Sequence, residues 1–396
     1  MIVKSMLELG SNRSRIRELY DYGLRKAREI GAENIYDYSL GNPTTPAPAE
    51  VKAAILEILE RESSTAIHSY TPAMGMVDTR SAVAEDLNRR FDASIRPENL
   101  FFTCGAAPAL VSVLQALAVE QSEFLLLAPY FSEYTVFVAA AGGKPVIVPA
   151  DTEAFSLHIS AIEERLSVHT QAIIVNSPNN PSGVIYTREE LQELSALLLC
   201  KSKEFGHPIY LIADEPYREL VYDGAEVPFI PNLYPHTIVC YSYSKSLSLP
   251  GERIGYVCVP DAAADSEELY AAIAGAARAC GHICAPSLMQ KVIAHCTEVR
   301  PDIEVYDENR KTLYAVLTEY GFRCVKPHGA FFMLVEAPDG DSVTMSERAK
   351  ERNLLIAPGD DFGVPAFCRI STCVCPDMIR RSLPAFRALM EEYKAK

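Results

Sequence analysis

No stretch of this 396-residue chain is apolar over the roughly 20 residues needed to cross a bilayer, so no membrane span is expected. The opening MIVKSMLELGSNRSRIRELYDYG has no long apolar h-region, so no signal peptide is expected and the cytoplasm is the expected location. Positive charge is scarce. The chain has 37 lysines and arginines against 52 acids, a net charge of −15. That balance argues against a general binder of nucleic acid or anionic membrane. It does not exclude a local basic site on an acidic body. Internal repeats and low-complexity tracts are absent. The eleven cysteines lack the paired CxxC spacing of zinc modules, so no metal is expected. They are odd in number and scattered through a long chain, unlike a secreted disulfide framework. Small buried hydrophobes in a reducing compartment is the reading they support.

What is present is the composition of an ordinary globular enzyme: 48% hydrophobic and 22% charged residues. The length exceeds what one core usually organises, which predicts a large domain and a smaller one. Seven short apolar runs, at 100–103, 124–128, 145–148, 172–175, 209–213, 238–241 and 256–259, suit strands buried on both faces. Between them lie helix-like stretches such as VSVLQALAV, HISAIEERL and REELQELSALLLCKSKEF. The prediction is an α/β fold whose large domain holds a mostly parallel seven-stranded sheet between helices. Helical spacing of Ile16, Leu19, Tyr20, Gly23, Leu24 and Ala27 predicts a helix over 13–30. Near 285–320 one or two long helices are expected. Short strands follow around FFMLVEA, LLIAPG and FCRIS, then a last helix over DMIRRSLPAFRALMEEYKA. Residues 46–285 are assigned to the large domain. Residues 1–45 and 286–396 form a smaller, discontinuous α+β domain.

Open α/β sheets bind ligands at the carboxyl ends of their strands. The first run is followed by Cys104-Gly105-Ala106-Ala107-Pro108, and the second by Tyr130 and Phe131. Later runs are followed by Asn176 and NNPSG, by Asp214 and Tyr217, and by Ser242, Ser244 and Lys245. Each residue type has a task if the ligand is pyridoxal phosphate. A neutral Lys245 amine condenses with the aldehyde as a Schiff base. A carboxylate, Asp214, holds the proton of the pyridine nitrogen. Asn180 and Tyr217 can hydrogen-bond the ring oxygen, and Phe131 can stack on the ring. Ser242, Ser244, Arg253 and the free N–H groups opening the helix after Gly105 are phosphate donors. Pro108 fits that first turn, where its missing N–H costs nothing.

The stretches SLGNP, SYTPAMGMVDTRSAVAEDL, TCGAAPAL, NSPNNPSG, ADEPYREL, SYSKSLSLPGERIGY, PHGAFFMLVE, APGDDFG and FCRIST resemble, in order, segments of the class I/II aminotransferase family. That family comprises fold-type I pyridoxal-phosphate enzymes. The resemblance runs from about residue 39 to the C-terminus. It implies that Lys245 is the Schiff-base lysine and proton shuttle, that Asp214 pairs with the pyridinium, and that Asn180 and Tyr217 contact the ring oxygen. Phe131 would stack on the ring. Gly105, Ala106, Ala107, Ser242, Ser244 and Arg253 would bind the phosphate. Tyr70 would reach the phosphate of the neighbouring subunit, which implies a homodimer with shared active sites. Arg369 would pair with the substrate α-carboxylate, with Gly41 and Asn176 lining the same pocket. Ala107 and Phe131 depart from aspartate-using relatives, which resemble this chain but carry lysine and tryptophan there.

The expected activity is a ping-pong transfer of an amino group from an L-amino acid to a 2-oxo acid. The same fold and lysine also serve lyases and decarboxylases. A ligand-sensing regulator would carry a DNA-binding domain ahead of this fold, and the acidic chain starts almost directly with the enzyme-like region. His68, Ser69, Tyr70 and the 10–25 segment are candidates for shaping the side-chain pocket.

Overall fold

The computed structural model describes residues 2–11 and 15–395. Strands, in chain order, are β1 Tyr36–Asp37, β2 Leu100–Thr103, β3 Glu123–Leu127, β4 Lys144–Val148, β5 Thr170–Asn176 and β6 Tyr210–Asp214, then β7 Thr237–Ser242, β8 Gly255–Cys258, β9 Phe332–Glu336, β10 Leu354–Leu355, β11 Ala357–Pro358 and β12 Phe367–Ser371. All seven apolar runs form strands of one sheet, in the order β2-β8-β7-β6-β5-β3-β4. Neighbours from β7 through β4 pair in parallel, and β8 runs antiparallel to both β2 and β7.

The alternation of side chains along each strand explains the lack of polar residues in the runs. Leu125, Ile173, Leu211 and Val239 point into one core cluster, while Phe124, Leu126, Ile174 and Ile212 point into another. Both faces are covered by helices, so neither can be polar. The helix Arg188–Phe205 shows the local logic. Thr187 Oγ1 accepts from Glu190 N–H and Glu190 Oε2 accepts from Thr187 N–H, a reciprocal cap at its start. Gly206, at φ 79°, ends it.

A three-stranded antiparallel sheet, β11-β12-β9, builds the second core. The single strand expected over LLIAPG is two. β10 pairs in parallel with β1, and β11 pairs with β12. Ile356 separates them, and Pro358 has no N–H with which to extend the ladder. The helices expected near 285–320 are Ser287–Cys296 and Glu304–Tyr320. Met289, Val292, Ile293 and Cys296 of the first, which follows the expected 285/286 boundary, share a core cluster with the large sheet.

The N-terminal helix spans Arg15–Ile30. Leu19 packs with Ile35 and Leu355, which sets the helix against β10. Positions 13 and 14 of that expected helix, and residues 1, 12–14 and 396 of the expected small domain, lie outside the described residues. A separate helix, Lys4–Ser11, buries none of its residues. No helix among the described residues is long and apolar enough to cross a membrane.

Candidate active site

The strand ends that carried the sequence reading meet on one rim. Asn176 is in register with Asp214, and Gly255 is in register with both Ser242 and Thr103. The antiparallel β8 thus starts where β2 and β7 end. A cavity of about 330 Å³ opens there. It is lined by Ala106 and Ala107 from the helix Ala106–Leu117, by Phe131, and by Asn176, Asn180, Asp214 and Tyr217. Ser242, Ser244, Lys245 and Arg253 close it from the β7–β8 side, Arg369 closes it from the smaller sheet, and Gly41 from the segment after β1.

Lys245 is half-buried, and its Nζ donates to Gly41 O at 2.6 Å. Burial pushes the ammonium down to about 8, and Arg253 and Arg369 repel it in the same direction, against the opposing effect of Cys373. Asp214 is buried at the end of β6. Burial raises its carboxyl to about 7, although the hydrogen bond from Tyr134 favours the ionised form. Tyr134 OH donates to Oδ2. Oδ1 is buried and accepts no hydrogen bond among the described residues. A buried carboxylate oxygen without a donor is costly, and a protonated ring nitrogen is a donor of the required kind.

Asn176 spends both polar ends on backbone. Its Nδ2 donates to Asp214 O at 2.8 Å, and its Oδ1 accepts from Asn180 N–H at 2.7 Å. It therefore fixes the relative positions of Asp214 and Asn180. The Tyr217 ring is held edge-on by Phe331 and Phe332, at 5.5 and 5.8 Å between centroids. Burial raises its phenol well above the ordinary value.

Arg369 comes from β12 of the smaller sheet. Its guanidinium lies 4.4 Å from the Phe332 ring centroid and 4.9 Å from that of Phe362. Nη1 donates to Asn180 Oδ1 at 3.0 Å and Nη2 to Ser39 O at 2.5 Å, while the buried Nε has no partner among the described residues. Burial lowers it to about 10. A guanidinium held this way still has donors for a carboxylate.

Gly105 precedes the helix Ala106–Leu117 at φ 97°, and no side chain caps that helix. Its first N–H groups are unpaired donors at the positive end of the helix. A Cβ on Gly105 would sit 2.6 Å from Arg253 Nη2. One on Gly255 would sit 2.3 Å from Tyr241 O and 3.0 Å from the Gly105 Cα. Two glycines therefore let Arg253 and the helix start close on one small volume. The orphaned Asp214 oxygen and this cradle fit the two ends of pyridoxal phosphate.

Gly105 acts behind the cavity wall rather than in it. Tyr70 is 88% exposed and does not line the cavity. Nor do His68 and Ser69, whereas Ile16 of the 10–25 segment does. Leu110, Pro216, Pro250 and Phe332 line it without having been picked out in the sequence. Tyr134 is also absent from the sequence reading. Its one available signal is its place a helical turn after Phe131, which it meets edge-on at 5.6 Å.

The family model described as aminotransferase class I and II matches residues 32–385. The probable aspartate/prephenate aminotransferase of Thermus aquaticus is 31% identical, covering 89% of this chain and 90% of that protein. Aromatic-amino-acid aminotransferase 2 of Thermococcus litoralis is 26% identical over the whole of both chains. Among solved structures, an amino transferase from Eubacterium rectale superposes with a TM-score of 0.97 at 52% identity, covering 99% of each chain.

Proposed function

The chain belongs to the class I and II aminotransferases, which use pyridoxal phosphate, and from that premise we propose how its residues divide the work. The reaction moves an amino group from an L-amino acid to a 2-oxo acid, in two half-reactions that share one site. Bound pyridoxal phosphate supplies an electron sink for the pair left when the substrate Cα–H bond breaks.

Lys245 is the proton carrier. With its ammonium pushed down to about 8, a useful fraction of the amine is neutral near neutral pH and able to take the α-proton. Asp214 Oδ1 holds the proton of the ring nitrogen, and Tyr134 fixes the carboxylate through its other oxygen. Tyr217 and the Asn180 amide donate to the ring oxygen, and Phe131 offers a flat face. The N–H groups at Ala106 and Ala107, the hydroxyls of Ser242 and Ser244, and Arg253 hold the phosphate. Arg369 clamps the substrate α-carboxylate. Gly41 lines the same pocket and its carbonyl anchors the Lys245 amine. Asn176 positions Asp214 and Asn180. Tyr70, fully turned to solvent in the single chain, serves the neighbour's phosphate in a homodimer with shared sites.

One observation carries this reading: the Lys245 amine, the unpartnered oxygen of Asp214 and the ring-sandwiched Arg369 face a single cavity. Its test is Lys245→Ala. Turnover is expected to fall below detection while pyridoxal phosphate still co-elutes with the protein on gel filtration. Near-normal turnover would remove Lys245 from the mechanism. Product analysis of the wild type separates the chemistries. A new amino acid together with a 2-oxo acid marks transamination, whereas ammonia and pyruvate from cystathionine mark a lyase.

A further inference from the structure

The relatives are named for different substrates, but the cavity wall discriminates. Its described lining carries four charged side chains: Asp214, Lys245, Arg253 and Arg369. On the reading above, each is engaged by the ring nitrogen, the α-proton, the phosphate or the α-carboxylate. No cation among the described lining residues is left for a second carboxylate. What remains is apolar: Ile16, Leu110, Pro216, Pro250 and Phe332.

The larger of these are held in place. Leu110 is buried in the core beneath the helix Ala106–Leu117, three residues along from Ala107 and so on the same side. Ile16 packs against the core cluster that contains Phe362 and Phe367. Phe331 meets Phe332 at 5.0 Å between ring centroids. Arg15 and Arg17, on the helix that carries Ile16, line a different cavity together with Glu133, Asp360 and Asp361. A substrate carboxylate set against the apolar residues would lose its hydration and gain no counter-charge.

We propose that this site selects donors with an uncharged, apolar side chain, aliphatic or aromatic, over aspartate and glutamate. Ile16 and Leu110 are the residues that set the preference. The inference rests on the transaminase reading, and the experiment keeps the two apart. The cofactor-loaded full-length enzyme is mixed with single L-amino acids, and loss of its visible absorbance band is followed. Leucine, methionine or phenylalanine is expected to convert the band at least about tenfold faster, per unit concentration, than aspartate or glutamate. Aspartate or glutamate as the fastest donor would overturn the apolar subsite and leave transamination standing. A band that no amino acid converts would overturn the transaminase reading itself.

Binding gives a second readout that needs no turnover. Calorimetry on the loaded enzyme should show isocaproate or hydrocinnamate binding at least about tenfold tighter than succinate. The reverse order would overturn the proposal. Ala107 lines the cavity without belonging to a core cluster, so Ala107→Lys can add an ammonium there. It should move the succinate-to-isocaproate affinity ratio about tenfold or more toward succinate. An unchanged ratio in a variant that still holds its cofactor would show that the side-chain subsite is not beside residue 107, and would overturn the assignment.

Discussion

Lys245 owes its chemistry to its surroundings. Two arginines share its cavity, and burial strips water from the ammonium. Only the neutral amine attacks an aldehyde, so the sign of the pH effect is fixed. As pH rises through about 8 the reactive fraction grows, and above that it levels off. The rate at which the apoprotein takes up pyridoxal phosphate, followed by stopped-flow absorbance, should therefore rise with pH to a midpoint near 8. A midpoint close to that of an ordinary lysine, above roughly 10, would mean that the site does not lower it. The acidic and basic groups at strand ends were legible in the sequence because each follows an unbroken apolar run. Tyr134 was not, because a buried helical tyrosine has the same pattern as any core residue. Nor was the bracing role of Asn176, since a hydrogen bond across two strands needs their register, which spacing does not give.

At the level of elements, the site depends on close approach between pieces of backbone. Gly105 must take φ 97° and leave room for Arg253, and Gly255 must pass both Tyr241 and Gly105. Gly105→Ala would strain the turn and push the guanidinium aside. The dissociation constant for pyridoxal phosphate, by equilibrium dialysis, should rise about tenfold or more, which corresponds to ~1.4 kcal/mol. Unchanged affinity would detach this turn from the phosphate. The seven apolar runs were readable because a strand buried on both faces has no polar alternation to confuse it. β1 was not, nor was the division of the LLIAPG strand into β10 and β11, all of two residues each. So short a strand carries no period, and its existence is settled by its partner.

For the whole molecule, the proposed homodimer with shared sites has a measurable consequence. Hybrid dimers test it. Mixing Tyr70→Phe subunits with Lys245→Ala subunits makes a hybrid in which one site pairs an intact lysine with the neighbour's intact tyrosine. Random pairing makes about half the dimers hybrids, so activity should recover to about a quarter of wild type from two defective parents. No recovery, in a mixture shown to exchange subunits, would place Tyr70 outside the neighbour's site.

The sheet order has another consequence, in the timing of synthesis. β2 lies at the sheet edge and its one partner is β8, the last strand of that sheet to leave the ribosome. A nascent chain that has just released Lys245 already carries Asp214, the amine and the Gly105 turn. It lacks Arg253 and the strand that seats β2, and folding of such non-local pairings waits for the later partner. The proposed grip on the phosphate would therefore close near the end of the large sheet's assembly. A chain cut short before residue 253 would hold the reactive lysine without the guanidinium that completes the proposed phosphate site, so full-strength capture of the cofactor would report that this sheet has been completed.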